Sequence, residues 1–522
     1  MTVSLSTLDI IVFVAYIVAL LGIAVWASVG RNKSGNLFLA NKSLGWFAIG
    51  LTMWGTNVGP SMLVANASSG FEGGLAAGNF SWYAFPFILL LAFVFAPRYL
   101  GSQVSTLPEY MGKRFGEKTR GYIAWYTILT ILISWLALTL FCGGVFMAQI
   151  LAFPLWACIV ILVLVSAGFA IAGGLKAIAY TNVFQMLLLI GVSVLLVIMG
   201  LVKVGGFGAL VDQTPADYWN LFRPLADKDF PWLAIVLGYP IMGVWFWCTD
   251  QSMVQSVLGA KDLHEGQKGA NFCAWLKLLD IPLFILPGIL CFCLLPGLEN
   301  STDSYLQLVS HVFPSGLMGL VIVVMVAALI STIGSALNSL STVFTMDIYL
   351  KNRPDTSEKT IRNIGRWVVV AGAVVSIFLA LIITKIQGLS FFNIFQSVLG
   401  FIAPPMSAAF LFAALWKRTS RRAVNLTLTA GTVFSIGLGI LYYCGLIFQG
   451  MHYLYLSCGI FVVLALFIWI YTLAEGALAS HTETPAVAAE VAGPVRITTG
   501  LKIAWALLVL CMVAVYLIFN GH

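Results

Sequence analysis

Met53-Trp-Gly-Thr-Asn-Val-Gly-Pro-Ser-Met62 interrupts an apolar stretch, 45–68, that is long enough to cross a lipid bilayer. Gly55, Gly59 and Pro60 stand at its mid-depth. An interrupted helix leaves amides and carbonyls there that must find a protein group, an ion or a solute, because hydrocarbon offers no partner. Gly238-Tyr-Pro240 and Gly243, followed by Trp245-Phe-Trp-Cys-Thr-Asp-Gln251, form a second such interruption in the stretch 232–256, five apolar stretches further on. Taken singly, either set of glycines and prolines also fits tight packing between membrane helices. Two sets at corresponding positions give the pattern of an inverted repeat in which each half opens on a broken helix.

The composition agrees with a membrane setting. Of 522 residues, 60% are hydrophobic and 9% charged, against about 25% charged in an ordinary soluble domain. That excludes a soluble enzyme, a nucleic-acid binder and a secreted disulfide scaffold. The nine cysteines lie in apolar runs without metal or redox spacing. The five histidines are scattered and no Gly-rich phosphate loop occurs, so the chain is not expected to be an enzyme. Fourteen stretches are candidate spans: 8–29, 45–68, 79–98, 121–149, 153–172, 179–202, 232–256, 271–296, 308–345, 364–385, 391–416, 423–446, 452–474 and 500–519. The ninth is long enough to be a span preceded by a short outer helix. In the first, Arg31 and Lys33 follow the apolar run instead of preceding it, which marks a retained helix and not a signal peptide.

With an even number of spans both termini share one side, and the basic residues choose it. If the termini lie outside, 22 of the 27 lysines and arginines fall in inner segments; only Lys203, Arg223, Lys228 and Lys385 fall outside, and Lys277 sits within a span. This is the bias of the positive-inside rule. The Ala/Thr/Pro-rich segment 475–499 reads as an inner linker before the last helix.

Polar groups inside the spans are the candidate functional groups. Ser331, Ser335 and Ser339 recur every four residues along the ninth. They form either a helix-packing face or, through Ser331 and Thr332, oxygen ligands for a hard cation completed by carbonyls of the second span. Lys277 is either functional or held in an intrahelical pair with Asp280, three residues on. Asp250 is either a gate or a satisfied structural carboxylate. Gln396 suits a polyol's hydroxyls or a neighbouring helix. Phe246 and Trp247 suit stacking on a sugar ring or ordinary packing.

Several longer strings carry a resemblance: Leu107-Pro-Glu-Tyr-Met-Gly-Lys-Arg-Phe115, Gly173-Gly-Leu-Lys-Ala-Ile-Ala-Tyr-Thr-Asn182, Trp247-Cys-Thr-Asp-Gln251, Ser341-Thr-Val-Phe-Thr-Met-Asp-Ile-Tyr349, and Gln396 with Pro404-Pro405 downstream. From Gly45 through the thirteenth span the chain resembles the sodium/solute symporters, in particular the sodium/glucose cotransporter and inositol-transporter branch. The resemblance implies an all-α membrane protein of 14 transmembrane helices. Its core would be a LeuT-like five-plus-five inverted repeat with one leading and three trailing helices, working by alternating access. The expected divisions are 1–44, a first repeat over 45–230, a second over 231–416, and trailing helices over 417–522.

The resemblance further implies a sodium site on Gly55, Val58, Ala328, Ser331 and Thr332. A second sodium site of some members is expected to be disabled, since its aspartate is Asn182 here and one of its hydroxyl positions is Gly334, leaving Ser335. One sodium per solute follows. Asn57, Trp247, Lys277 and Gln396 match the sugar-contacting positions. Met62 replaces a histidine or glutamate, Ser81 a glutamate, Phe246 a tyrosine and Gly243 a threonine. The solute expected is a sugar or sugar-like molecule. The alternatives are an acidic sugar such as sialic acid, or another small organic nutrient; a non-transporting sensor or leak ranks below these. The implied partners are sodium, the solute and membrane lipid, with no nucleic acid. The implied location is the plasma membrane, or the inner membrane of a Gram-negative cell.

Overall fold

The computed structural model describes residues 7–28, 37–151, 153–314, 317–383, 391–478 and 497–520. Among these, helices account for all regular structure, with two isolated bridges, Leu44 to Ala260 and Arg223 to Pro231. Helices suit so apolar a chain because each satisfies its backbone internally. The order begins with α1 (Thr7–Ser28), then α2 (Trp46–Asn57) and α3 (Pro60–Gly73), which share the second apolar stretch. Next come helices over 79–101 and 117–151, and α4 (Leu155–Val204). The later half holds α5 (Trp232–Val244), α6 (Gln251–Leu258), α7 (Leu263–Leu276), α8 (Leu317–Val343), α9 (Phe391–Leu415), α10 (Tyr453–Leu478) and α11 (Thr499–Ile518).

Among the described residues, ten helices are long and apolar enough to cross a membrane, or eleven if the bent pair Leu263–Leu279 and Ile281–Leu294 counts as one. The expected fourteen differ from this at identifiable places. Thr7–Leu20 and Leu155–Ile171 are apolar but shorter, and the half-helix after the first break runs on as Met62–Gly101. The fifth and sixth expected spans are parts of one continuous helix, α4. At 1.5 Å per residue its 50 residues would reach about 75 Å if straight, more than twice the hydrocarbon thickness. The short helix expected before the ninth span is Ser304–Val312. Of the segment 475–499, residues 479–496 lie outside the described residues.

The second break is displaced from where the glycines suggested. Helix α5 runs straight through Pro240, passes into a π-helical turn over Trp245–Thr249, and stops at Asp250, which is extended (φ −83°, ψ 126°). The glycines serve close packing instead. A Cβ at Gly238 would lie 2.4 Å from the Leu454 carbonyl oxygen of α10, and one at Gly243 would lie 2.4 Å from the Phe87 ring. Helix α8 is buried at nearly every position and packs against α1, α2 and α4. It belongs to the most buried of the candidate spans, and α11 is the least buried, with Ile518 71% exposed.

Candidate functional site

The first break is built locally. Pro60 has no amide to donate and disfavours helix in the residue before it; Gly59 is accordingly extended (φ −95°, ψ 164°). In a continuing helix the Gly59 amide would take the Gly55 carbonyl, but it donates to the Asn57 carbonyl at 3.2 Å. The Met62 amide, which would take the Val58 carbonyl, donates to the Gly59 carbonyl at 2.9 Å. Both amides are thus diverted from the carbonyls of Gly55 and Val58.

Opposite stands α8. The Thr332 hydroxyl donates to the Ala328 carbonyl at 3.0 Å, and the Ser331 hydroxyl donates to the Asn182 side-chain carbonyl on α4. With each hydroxyl proton committed, the oxygen lone pairs remain for an electron-poor partner. Helix α4 relates these groups to the break. Asn182 and Met186 lie one turn apart on it, and a Cβ at Gly55 would sit 2.8 Å from Met186 Cγ. Gly55 lies in α2, Val58 caps it, and Ala328, Ser331 and Thr332 lie in α8, which packs against α2. Their oxygens are neutral, the donor set of a weakly held monovalent cation. Among the described residues, no group of three or more His, Cys, Asp or Glu gathers as a metal site.

The other candidates meet in one small cavity. Asn57, Met62, Ser81, Phe246, Trp247, Lys277 and Gln396 all line it, although they come from five separate parts of the chain. Its volume is about 50 Å³, well below the about 300–1,000 Å³ of small-molecule pockets, so a solute of sugar size requires these side chains to withdraw. A larger cavity, about 370 Å³, lies between Trp232 and Tyr516 of α11, with an almost wholly apolar lining. It brings none of the candidate residues together.

Lys277 sits at the bend, of 40°, between Leu263–Leu279 and Ile281–Leu294. Its ammonium donates to Asn57 Oδ1 at 2.8 Å and to Asp280 Oδ2, and lies 5.5 Å from the Trp247 ring centre. Asp280 Oδ1 accepts from the Trp54 indole at 2.8 Å. The ammonium is thus tied to both the bend and the break, through residues that flank Gly55. Trp247 meets Phe246 edge-to-face, their rings 5.1 Å apart, and Phe246 leans on Trp135 at 5.4 Å.

Asp250 reads as structural. It accepts from the amides of Ser252 (2.8 Å) and Met253 (3.2 Å), capping α6, and from the Trp135 indole (3.0 Å). Asp250→Ala is expected to destabilise the protein by about 2–4 kcal/mol, a lost cap plus a buried donor left unpaired. The check is thermal unfolding with and without sodium. The midpoint should fall while the sodium-induced increment stays, and a lost increment would make Asp250 part of the ion machinery.

The sequence profile of the sodium:solute symporter family matches residues 37–431. The chain belongs to the sodium:solute symporter family. This symporter is 32% identical over 511 residues to sodium/glucose cotransporter 1 of Mus musculus, covering 87% of this chain and 76% of that one. It is also 32% identical over 508 residues to the sodium/mannose cotransporter SLC5A10 of Bos taurus, covering 88% and 85%. Its fold is shared with a solved Na+-coupled sialic acid symporter in a substrate-bound outward-open state, with a TM-score of 0.77 at 19% identity, covering 90% and 98%. Sodium is its coupling ion.

Phe80, Tyr239, Met242, Trp245 and Leu399 also line the cavity, and Trp54 stands behind it, none of them expected from the sequence. Tyr239 lines the cavity, and its hydroxyl donates to the Phe80 carbonyl at 2.6 Å. It lies seven residues before Phe246, on one helical face, a spacing that would have flagged it. Met242, four before Phe246, lines the cavity by the same rule. Trp54 is different: its partner Asp280 is 226 residues away, and no local pattern reports such a contact.

Proposed function

We propose that this symporter moves one sodium ion with one molecule of a sugar or sugar-like solute by alternating access. Asn57 carries the reading. It lines the solute cavity, belongs to the break next to Val58 and two residues from Gly55, and accepts the ammonium of Lys277. A solute that competes for Asn57 or Lys277 acts on the short segment whose carbonyls face the cation. That is the physical content of coupling: each ligand stabilises the arrangement the other needs. Trp247 offers the ring face, with Gln396 and Ser81 for hydroxyls and Met62 and Phe246 as apolar walls.

This reading assigns residues 45–230 and 231–416 to the two inverted repeats. Residues 1–44 lead and 417–522 trail; fourteen crossings with both termini outside require the 50 residues of α4 to supply two of them, turning back within its length. The membrane is the plasma membrane, or the inner membrane if the cell is Gram-negative. One sodium's charge supplies about 2.3 kcal/mol per 100 mV, about 50-fold accumulation of an uncharged solute. Uptake of glucose and mannose into proteoliposomes under an inward sodium gradient tests this. A reversal potential that fits one sodium per sugar is the expected result. Uptake that ignores sodium for every sugar tried would end the proposal, and a two-to-one ratio would reinstate a second ion site near Asn182.

A further inference from the structure

Lys277 is the one charged side chain among the described residues that line the solute cavity. Left to itself, a buried ammonium beside aromatic walls is an anion site, because charge interactions strengthen as water is excluded. This ammonium is not left to itself. Asp280, three residues further along, binds it from behind, and the pair is almost wholly buried, at 1% and 2% exposure.

An i,i+3 pair adds little to a helix, and removing two charges from water costs far more than that. Helix stability therefore does not account for the pair. The carboxylate is also fixed in place. Its second oxygen accepts the Trp54 indole at 2.8 Å, and Trp54 is fully buried and stacked on Phe284, with ring centres 5.9 Å apart. Asp280 does not line the cavity, so it acts on a solute only through Lys277. With two ammonium protons held by Asp280 and Asn57, the third is free for a solute oxygen.

We propose that Asp280 is a positioning residue that sets the charge class of the solute: it cancels the charge of Lys277, so the cavity accepts an uncharged polyhydroxylated solute and rejects a carboxylate. The inference rests on reading this cavity as the solute site. A solute hydroxyl takes the third ammonium proton without adding charge, and its own proton goes to a neutral acceptor such as the Gln396 carbonyl. A carboxylate in the same place would lie close to that of Asp280 with one ammonium between two anions.

The test uses the full chain in sodium, with glucose and glucuronate as the neutral and acidic probes and ligand-induced thermal stabilisation as the readout. Wild type is expected to bind glucose at least tenfold more tightly than glucuronate. In Asp280→Asn that preference is expected to shrink to about onefold or to reverse, because Lys277 is then unpaired; a residue with only a structural role would weaken both sugars alike. If Asp280→Asn does not fold, the double variant Lys277→Gln/Asp280→Asn removes both charges together and is expected to keep the neutral preference. Glucuronate bound as tightly as glucose by wild type overturns the inference and leaves the symporter reading standing. So does an unchanged preference in Asp280→Asn, or acceptance of glucuronate by the double variant. A wild type that binds neither sugar in sodium, under conditions where sodium alone stabilises it, overturns the sugar reading and this inference together.

Discussion

Thr332→Val is expected to raise the sodium concentration for half-maximal uptake by about 10- to 150-fold while leaving the protein folded. Valine keeps the volume and the branching of threonine and removes one oxygen. A contact between a dipole and a charge is worth about 1.5–3 kcal/mol, which converts to that range. Among the described residues the hydroxyl's one hydrogen bond is to the Ala328 carbonyl one turn earlier in α8, so little else is lost. Thr332→Ser should recover most of the affinity, since it restores the oxygen. At fixed sodium the apparent solute affinity should fall as well, because coupling between two ligands is reciprocal. The measurement is uptake at graded sodium with choline as the replacement. An unchanged half-saturation would remove Thr332 from the ion site.

Much of this geometry is readable in the chain because it is local. Gly59-Pro60 stops a helix for reasons internal to two residues, and the break lies there. The second break was misplaced for an equally specific reason. Glycine weakens a helix, yet it also admits a neighbouring helix, and only the position of Leu454 or Phe87 tells which of these applies. Asp250 ends that helix by capping the next one, a role any Asp before a short polar turn can take. The fifth and sixth spans looked separate because Gly173-Gly-Leu-Lys176 interrupts the apolar run, and backbone hydrogen bonding continues through it nonetheless. A glycine inside a helix costs about 1 kcal/mol, which a long helix absorbs.

The candidate residues divide along a different line. The seven proposed solute positions come from the resemblance and its matching strings, with Lys277, Gln396, Phe246 and Trp247 also marked by their polar or aromatic character within spans, and they surround one cavity from five separate parts of the chain. The strings could not report who holds whom. Asp280 is visible beside Lys277 at i+3, but nothing nearby reveals that its other oxygen belongs to Trp54, or that the ammonium also reaches Asn57. Those contacts join segments more than 200 residues apart, and they turn a local ion pair into a link between the cavity and the break.

Trp247→Ala is expected to separate the two ligands that Thr332→Val affects together. Trp247 is 1% exposed, meets Phe246 edge-to-face and lies under the Lys277 ammonium. Truncating a packed tryptophan costs about 3–5 kcal/mol, and the lost cation–π contact adds about 1–2 kcal/mol at a site this dry. That cost falls on stability; as a buried aromatic anchor for the solute the ring is worth about 2 kcal/mol or more in binding, so solute affinity should drop by about 30-fold or more, with Trp247→Phe intermediate because a smaller ring remains. Sodium's own affinity should survive, because no oxygen of the proposed ion site belongs to Trp247. Sodium-dependent thermal stabilisation measured without sugar is the discriminating readout. Retained in Trp247→Ala while uptake is lost, it places the tryptophan on the solute side of the coupling. If it disappears as well, the cavity and the cation site are one cooperative unit held by the Lys277–Asn57 and Asp280–Trp54 bonds, and the aromatic wall supports both. A variant that keeps full solute affinity removes Trp247 from the site, and with it the reason for reading the cavity as a platform for a ring.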